Sequence, residues 1–183
     1  APDVGGGFGS KARLSPEERA PLNRYWDGSP MYSPAFPTDW NRSFTLMPEG
    51  PPKGAVALLH GLTDAPYSLR HVAEFYRSRG YVAVGIRMPG HGTVPGGLER
   101  AEWPQWMAAT RLAIREAERL AGPEKPLDIV GYSNGGALAM VYAADALDNP
   151  TLSTADHVVL LSPMVGLTFF ARFAGVAGWP ALL

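Results

Sequence analysis

The sequence of 183 residues contains no cysteine, which excludes disulfides, thiol nucleophiles and thiolate metal sites but leaves the compartment open. It also lacks an excess of either charge. Sixteen Lys and Arg against 17 Asp and Glu give a net charge of -1, so there is no electrostatic case for nucleic acid or an anionic membrane surface. No run approaches about 18 uninterrupted apolar residues, and no membrane span is expected. The segment from Gly166 to Leu183 comes nearest, but Arg172, Gly175, Gly178 and Pro180 interrupt it. No leader-like segment is legible after Ala1, so cytoplasmic and exported settings both stay open. Histidine is scarce as well, with four residues in all.

What is present suits one globular domain with a real core: 46% of residues are hydrophobic and 18% charged. Residues 1–40 read as an N-terminal arm. Its first twelve positions are Gly-rich, and Gly7-Phe8-Gly9-Ser10-Lys11-Ala12 fits a relaxed dinucleotide fingerprint. No strand precedes that run, so no cofactor is assigned to it. Ser15-Pro16-Glu17-Glu18 resembles a helix cap and first turn, predicting a short helix over 15–26. Pro30, Pro34 and Pro37 among aromatics predict an irregular surface segment after it.

From residue 41 to 163 the pattern is regular. Ser43 to Met47 alternates like an edge strand, and Gly54 to Leu59 is a continuous apolar run, as in a strand covered on both faces. Pro66 to Arg79 puts Leu69, Val72, Ala73 and Tyr76 on one helical face, closed by Gly80. Tyr81 to Ile86 is the next buried strand. A helix is predicted over Trp103 to Ala121, with Trp106, Ala109, Ala113, Ala117 and Leu120 facing inward and Gly122-Pro123 as the stop. Strands at Leu127 to Val130 and Val158 to Leu161 flank a helix from Asn134 to about Leu147. Alternating strands and helices predict an α/β fold with a mostly parallel sheet, and ligands then sit beyond the carboxyl ends of the strands. Three short loops lie there: His60-Gly61-Leu62, Met88 to Gly92, and Gly131-Tyr132-Ser133-Asn134-Gly135.

The last of these carries the chemistry. A Gly-x-Ser-x-Gly turn between a strand and a helix holds its serine on strained backbone, hydroxyl outward, beside helix N–H groups. Ser133 is therefore the candidate nucleophile, with Gly131 and Gly135 making room for the turn; the competing possibility is a serine that merely caps the helix. The oxyanion of acyl transfer needs two fixed N–H donors. Asn134, directly after the serine, is one candidate. Leu62, in the loop after the Leu59 strand, is the other, with Gly61 allowing the backbone to turn closely and His60 preceding it.

Leu58-Leu59-His60-Gly61-Leu62, Arg87-Met88-Pro89-Gly90-His91-Gly92 and Gly131 to Gly136 together resemble the amino-terminal half of an α/β-hydrolase. Their texture is closest to bacterial carboxylesterases and monoacylglycerol-lipase-like enzymes, from about Ser43 to Pro163. The resemblance implies an α/β-hydrolase fold with helices on both faces of the sheet, incomplete at its C-terminus. It also implies hydrolysis of a small carboxylic ester, an acyl glycerol or a short-chain ester, through an acyl-enzyme on Ser133. No metal or organic cofactor is implied. His91 falls in what is usually a conformational loop in that family. Peptidases, thioesterases and acyltransferases share the fold and stay open as alternatives.

The chain departs from the family after Ser133. That family places the triad acid and then the histidine on later loops, yet only Asp145, Asp148, Asp156 and His157 follow the serine. Asp156-His157 enters its strand at the amino end, about 16 Å from the serine at roughly 3.3 Å per residue. Asp145 and Asp148 lie at the far end of their helix. His71 lies on a helix, and among the earlier histidines only His91 is on the correct sheet edge, as a poor substitute base. The acid and histidine are therefore expected on a remaining C-terminal part, on further sequence or on a second chain. Residues 164–183, with Phe169, Phe170, Phe173 and Trp179, are expected to begin a cap or a packing helix. The alternative from a different class is a catalytically inactive half-hydrolase acting as a binding module.

Overall fold

The structure, a computed structural model, describes residues 41–166 except 93 and 94, together with scattered positions between 16 and 39. Residues 1–15 and 167–183, and with them the Gly7 to Ala12 run and most of the expected cap, lie outside the described residues. Of the helix expected over 15–26, the described positions 16, 21 and 22 are turn and 19, 23 and 26 are irregular.

Among the described residues five strands form one sheet: β1 (Phe44–Leu46), β2 (Gly54–Leu59), β3 (Tyr81–Ile86), β4 (Leu127–Tyr132) and β5 (His157–Leu161). Their spatial order is β1-β3-β2-β4-β5, with β1 antiparallel to β3 and every other pairing parallel. All six residues of β2 are buried, because helices cover it on both sides. The chain passes from β2 to β3 in one direction, then crosses back to β4 on the other side of β2. Right-handed crossovers running in opposite directions must use opposite faces. Accordingly α1 (Arg70–Ser78) covers one face, while α2 (Trp103–Ala121) and α3 (Asn134–Asp148) cover the other.

Local chemistry sets the helix ends. A short 3-10 turn, Pro66–Leu69, leads into α1, and Gly80 at φ +90° follows its end. At the start of α2, Glu102 accepts from the Gln105 backbone while the Gln105 side chain accepts the Glu102 N–H, a reciprocal capping box. Gly122 at φ +94° stops that helix.

The helix and strand boundaries follow the sequence closely, with one difference in facing. The residues of α2 that become fully buried are Met107, Thr110, Ala113, Ile114 and Ala117. Trp106, Ala109 and Leu120, expected on the inner stripe, only flank that cluster as partly buried residues. The stripe turns toward Met107 and Ile114 because α2 packs against α3 as well as against the sheet, which widens the covered arc. The α1 stripe is as the period predicts: Leu69 and Ala73 are buried over Val56, Leu58 and Val130, flanked by Val72 and Tyr76. β5 is an edge strand whose residues Val158 to Leu161 stay 36–38% exposed.

Candidate active site

The order β3-β2-β4 makes the carboxyl ends of β2 and β4 the point where the chain changes direction across the sheet, the usual place for a ligand in such folds. Leu59 pairs with Gly131 at that edge, so the loops that follow them are neighbours.

Ser133 lies between β4 and α3 at φ +51° and ψ −114°, a conformation that L-residues seldom adopt. The flanking glycines are steric requirements of the turn. A Cβ on Gly131 would stand 2.4 Å from the Gly135 carbonyl oxygen, and one on Gly135 would stand 2.0 Å from that of Leu59. The serine hydroxyl makes no capping hydrogen bond to α3, so the side chain is not used as a helix cap. Gly61 brings the first loop against it: a Cβ there would lie 3.4 Å from the Ser133 Cβ and 3.2 Å from the Tyr132 ring. Among the described residues, neither the Leu62 N–H nor the Asn134 N–H donates to another backbone group. The Asn134 side chain is buried, with its Nδ2 unpartnered.

Two histidines buttress this edge. His60 is fully buried, and its Nε2 accepts the Met88 N–H at 3.0 Å. Its Nδ1–H therefore points to the Gly61 carbonyl at 2.9 Å. Burial, reinforced by the neighbouring His91, lowers its pKa to about 4 and keeps the ring neutral. His91 packs edge-on against His60 at 4.9 Å between ring centroids and against Trp106 at 5.5 Å. Its Nδ1 donates to the Pro89 carbonyl at 2.9 Å, an acceptor shared with the Trp106 indole N–H at 3.0 Å. That stack, linking loops far apart in sequence, had no local signal.

Of the titratable residues after the serine, Asp145, Asp156 and His157 are engaged elsewhere. The β4–β5 register sets Asp128 opposite His157 and Tyr132 opposite Leu161, so Asp156-His157 enters at the edge away from Ser133. There Asp156 accepts the Leu127 N–H at 2.8 Å, and His157 pairs with Asp128 at 2.9 Å. Burial first, then the nearby Asp128 carboxylate, pushes the Tyr76 phenol up to about 12. Asp145 is bound to Arg111 at 2.9 Å. No group of three or more His, Asp or Glu suited to a metal occurs among the described residues. No helix there is long and apolar enough to cross a membrane.

Two surface grooves, of about 690 and 430 Å³, lie away from the serine: one between β1 and α2, the other between α1 and β5. Neither contains a Ser133, Leu62 or Asn134 atom in its lining.

Residues 50–181 match the family described as serine aminopeptidase, S33 (Hydrolase_4). A thermostable monoacylglycerol lipase of Bacillus sp. (strain H-257) is 33% identical over 88 residues, 48% of this chain and 34% of that enzyme. A solved structure reported under LipS and LipT, two metagenome-derived lipolytic enzymes, is 27% identical at TM-score 0.57, covering 68% of this chain and 46% of its own. A soluble variant of monoglyceride lipase from Saccharomyces cerevisiae, solved with a substrate analogue, superposes at TM-score 0.61 with 16% identity, over 76% of this chain and 45% of its own. These structures establish the α/β-hydrolase fold. The chain thus spans about a third of the curated relative and under half of either structure.

Proposed function

The chain belongs to the serine aminopeptidase S33 family of α/β-hydrolases, and from that premise we propose that it is the amino-terminal portion of a serine hydrolase cleaving carboxylic esters. The substrate class is an acyl glycerol or a short-chain ester, as suggested by the lipases it resembles. The observation that carries this reading is Ser133, held at φ +51° with its hydroxyl not spent on capping α3, against the Gly61 turn.

In this reading the Ser133 oxygen attacks the ester carbonyl and the N–H groups of Leu62 and Asn134 receive the oxyanion. The serine proton passes to a histidine, which delivers it to the departing alcohol. Water then attacks the acyl-enzyme, giving its proton to the same base, which returns that proton to the departing Ser133 oxygen as the acid is released. His60, Gly61, Gly131, Gly135 and His91 shape the two loops. No cofactor enters this chemistry.

The base and its carboxylate are assigned to polypeptide outside these 183 residues, either further sequence or a second chain. Support comes from β5, whose exposed outer edge invites another strand. The open apolar groove beside it, walled by Val72, Phe75, Val159 and Leu161, supports the same view. Residues 41–163 then form the front of the hydrolase core, 1–40 an arm, and 164–183 the start of a cap. These 183 residues alone are expected not to turn over substrate.

A binding module without catalysis is the second reading, favoured by the commitment of His60, His91 and His157 to other partners. Intact mass under denaturing conditions, with and without a fluorophosphonate, separates the two. A single adduct on Ser133 of the full-length protein, absent from Ser133→Ala, supports the hydrolase. Persistent labelling of Ser133→Ala would sink the nucleophile assignment, and a full-length protein that takes no adduct would leave the binding module in front.

A further inference from the structure

We infer that the turn after β5, Ser162-Pro163-Met164, is a positioning device for Ser133. The inference rests on the nucleophile assignment above and adds residues to it.

A strained residue persists only where its surroundings over-determine it. The glycines of the elbow make the strained geometry possible but do not enforce it. Both backbone polar groups of Ser133 are instead held by the end of β5. The Ser133 N–H donates to the Leu161 carbonyl at 2.9 Å, and the Ser133 carbonyl accepts the Met164 N–H at 2.9 Å. That carbonyl also receives Gly136 and Ala137 N–H groups at 3.0 and 3.2 Å, so three donors converge on it. The bend after β5 brings the Met164 N–H to this spot. Ser162 takes φ +45°, uncommon for a non-glycine residue, and bends the chain as it leaves the strand. Pro163 stiffens the bend and seats against α3, where a Cβ on Gly136 would meet its Cβ at 2.9 Å and its Cα at 3.0 Å.

The Ser133 N–H is thus tied to the last residue of β5 and its carbonyl to Met164 of the turn just beyond that strand. Rotation of the Ser133 backbone moves its hydroxyl, so the turn sets the attack geometry without touching substrate. Releasing it should slow the chemical step and leave ligand recognition unchanged. Misplacement on the ångström scale can cost about 10²-fold in rate.

The test is the kinetics of fluorophosphonate labelling in the full-length protein, resolving the maximal rate from the half-saturating concentration. Pro163→Gly loosens the turn, and Met164→Pro removes the N–H donor. Both should lower the maximal rate by about 10- to 100-fold with the half-saturating concentration unchanged. Met164→Ala keeps the N–H and should retain a higher maximal rate than Met164→Pro does. Wild-type rates in both of the first two variants overturn the inference. So does a change confined to the half-saturating concentration, or an equal slowing in Met164→Ala. Should neither Pro163→Gly nor Met164→Pro fold, hydrogen exchange of the unaltered protein decides: the Ser133 and Met164 amides should be protected and open together, and free exchange at Met164 refutes the proposal. An unaltered protein that takes no adduct would instead remove the serine-hydrolase reading itself.

Discussion

Met88 donates its backbone N–H to Nε2 of His60 at 3.0 Å, tying the loop after β3 to the loop after β2 across 28 positions of sequence. The bond requires a neutral ring, and burial supplies one by lowering the His60 pKa to about 4.

That shift makes stability depend on pH. Above pH 6.5 His60 is neutral in both folded and unfolded chains and contributes no slope. Between pH 6.5 and about 4 the unfolded chain takes up a proton that the folded chain refuses, so stability falls as pH falls through this window and levels off below it. The loss amounts to about 3 kcal/mol at most. Denaturant midpoints measured from pH 8 to pH 4 should show the decline in the unaltered protein and a shallower one in His60→Gln; equal slopes would refute the assignment.

Strain at Ser133 has a stability signature independent of any activity. Ala keeps a Cβ at φ +51°, whereas Gly adopts that region freely. Ser133→Gly should therefore be more stable than Ser133→Ala by about 1 kcal/mol. Chemical denaturation of the pair reads this directly, and an Ala variant as stable as the Gly variant would show that no strain is stored there.

Gly135 and Gly122 form a paired comparison of crowding against conformation. A Cβ at 135 would strike backbone, 2.0 Å from the Leu59 oxygen, while one at 122 meets nothing within 4 Å. Gly135→Ala should cost about 3 kcal/mol or more, or prevent folding. Gly122→Ala, which bears only the strain of its φ +94° and ψ 161°, should cost about 1–3 kcal/mol and still fold. Comparable unfolding midpoints for the two variants would contradict the close approach of α3 to β2.

His157 tests the separation of the Asp-His pair from the serine. Its side chain is 73% exposed and pairs with Asp128 at the far edge of the sheet. His157→Ala should cost about 1–3 kcal/mol of stability, because it takes the partner from the buried Asp128 carboxylate, and should leave the rate of Ser133 labelling unaltered. A labelling rate that collapses in this variant would place His157 in the catalytic machinery and overturn the register argument.

Local features of the chain by themselves determined the elements and the tight turn at Ser133. Apolar runs such as Gly54 to Leu59, and punctuation such as Gly80 and Gly122-Pro123, act over a few residues, so strands and helices are legible without the fold. The Gly-x-Ser-x-Gly spacing is legible in the same way, although only Gly131 makes room for its own neighbours, whereas Gly135 makes room for Leu59 and His60 at the end of β2. Tertiary structure decided what depends on distant partners. The reversal of strand order set α1 against one face and α2 and α3 against the other, and the contact of α2 with α3 turned its buried arc toward Met107 and Ile114. The His60–His91–Trp106 stack and the hold of Met164 on the Ser133 carbonyl came into being only on folding. Periodicity says which side of an element is apolar, but hydrogen bonds between loops dozens of residues apart follow from sheet register, which no local pattern encodes.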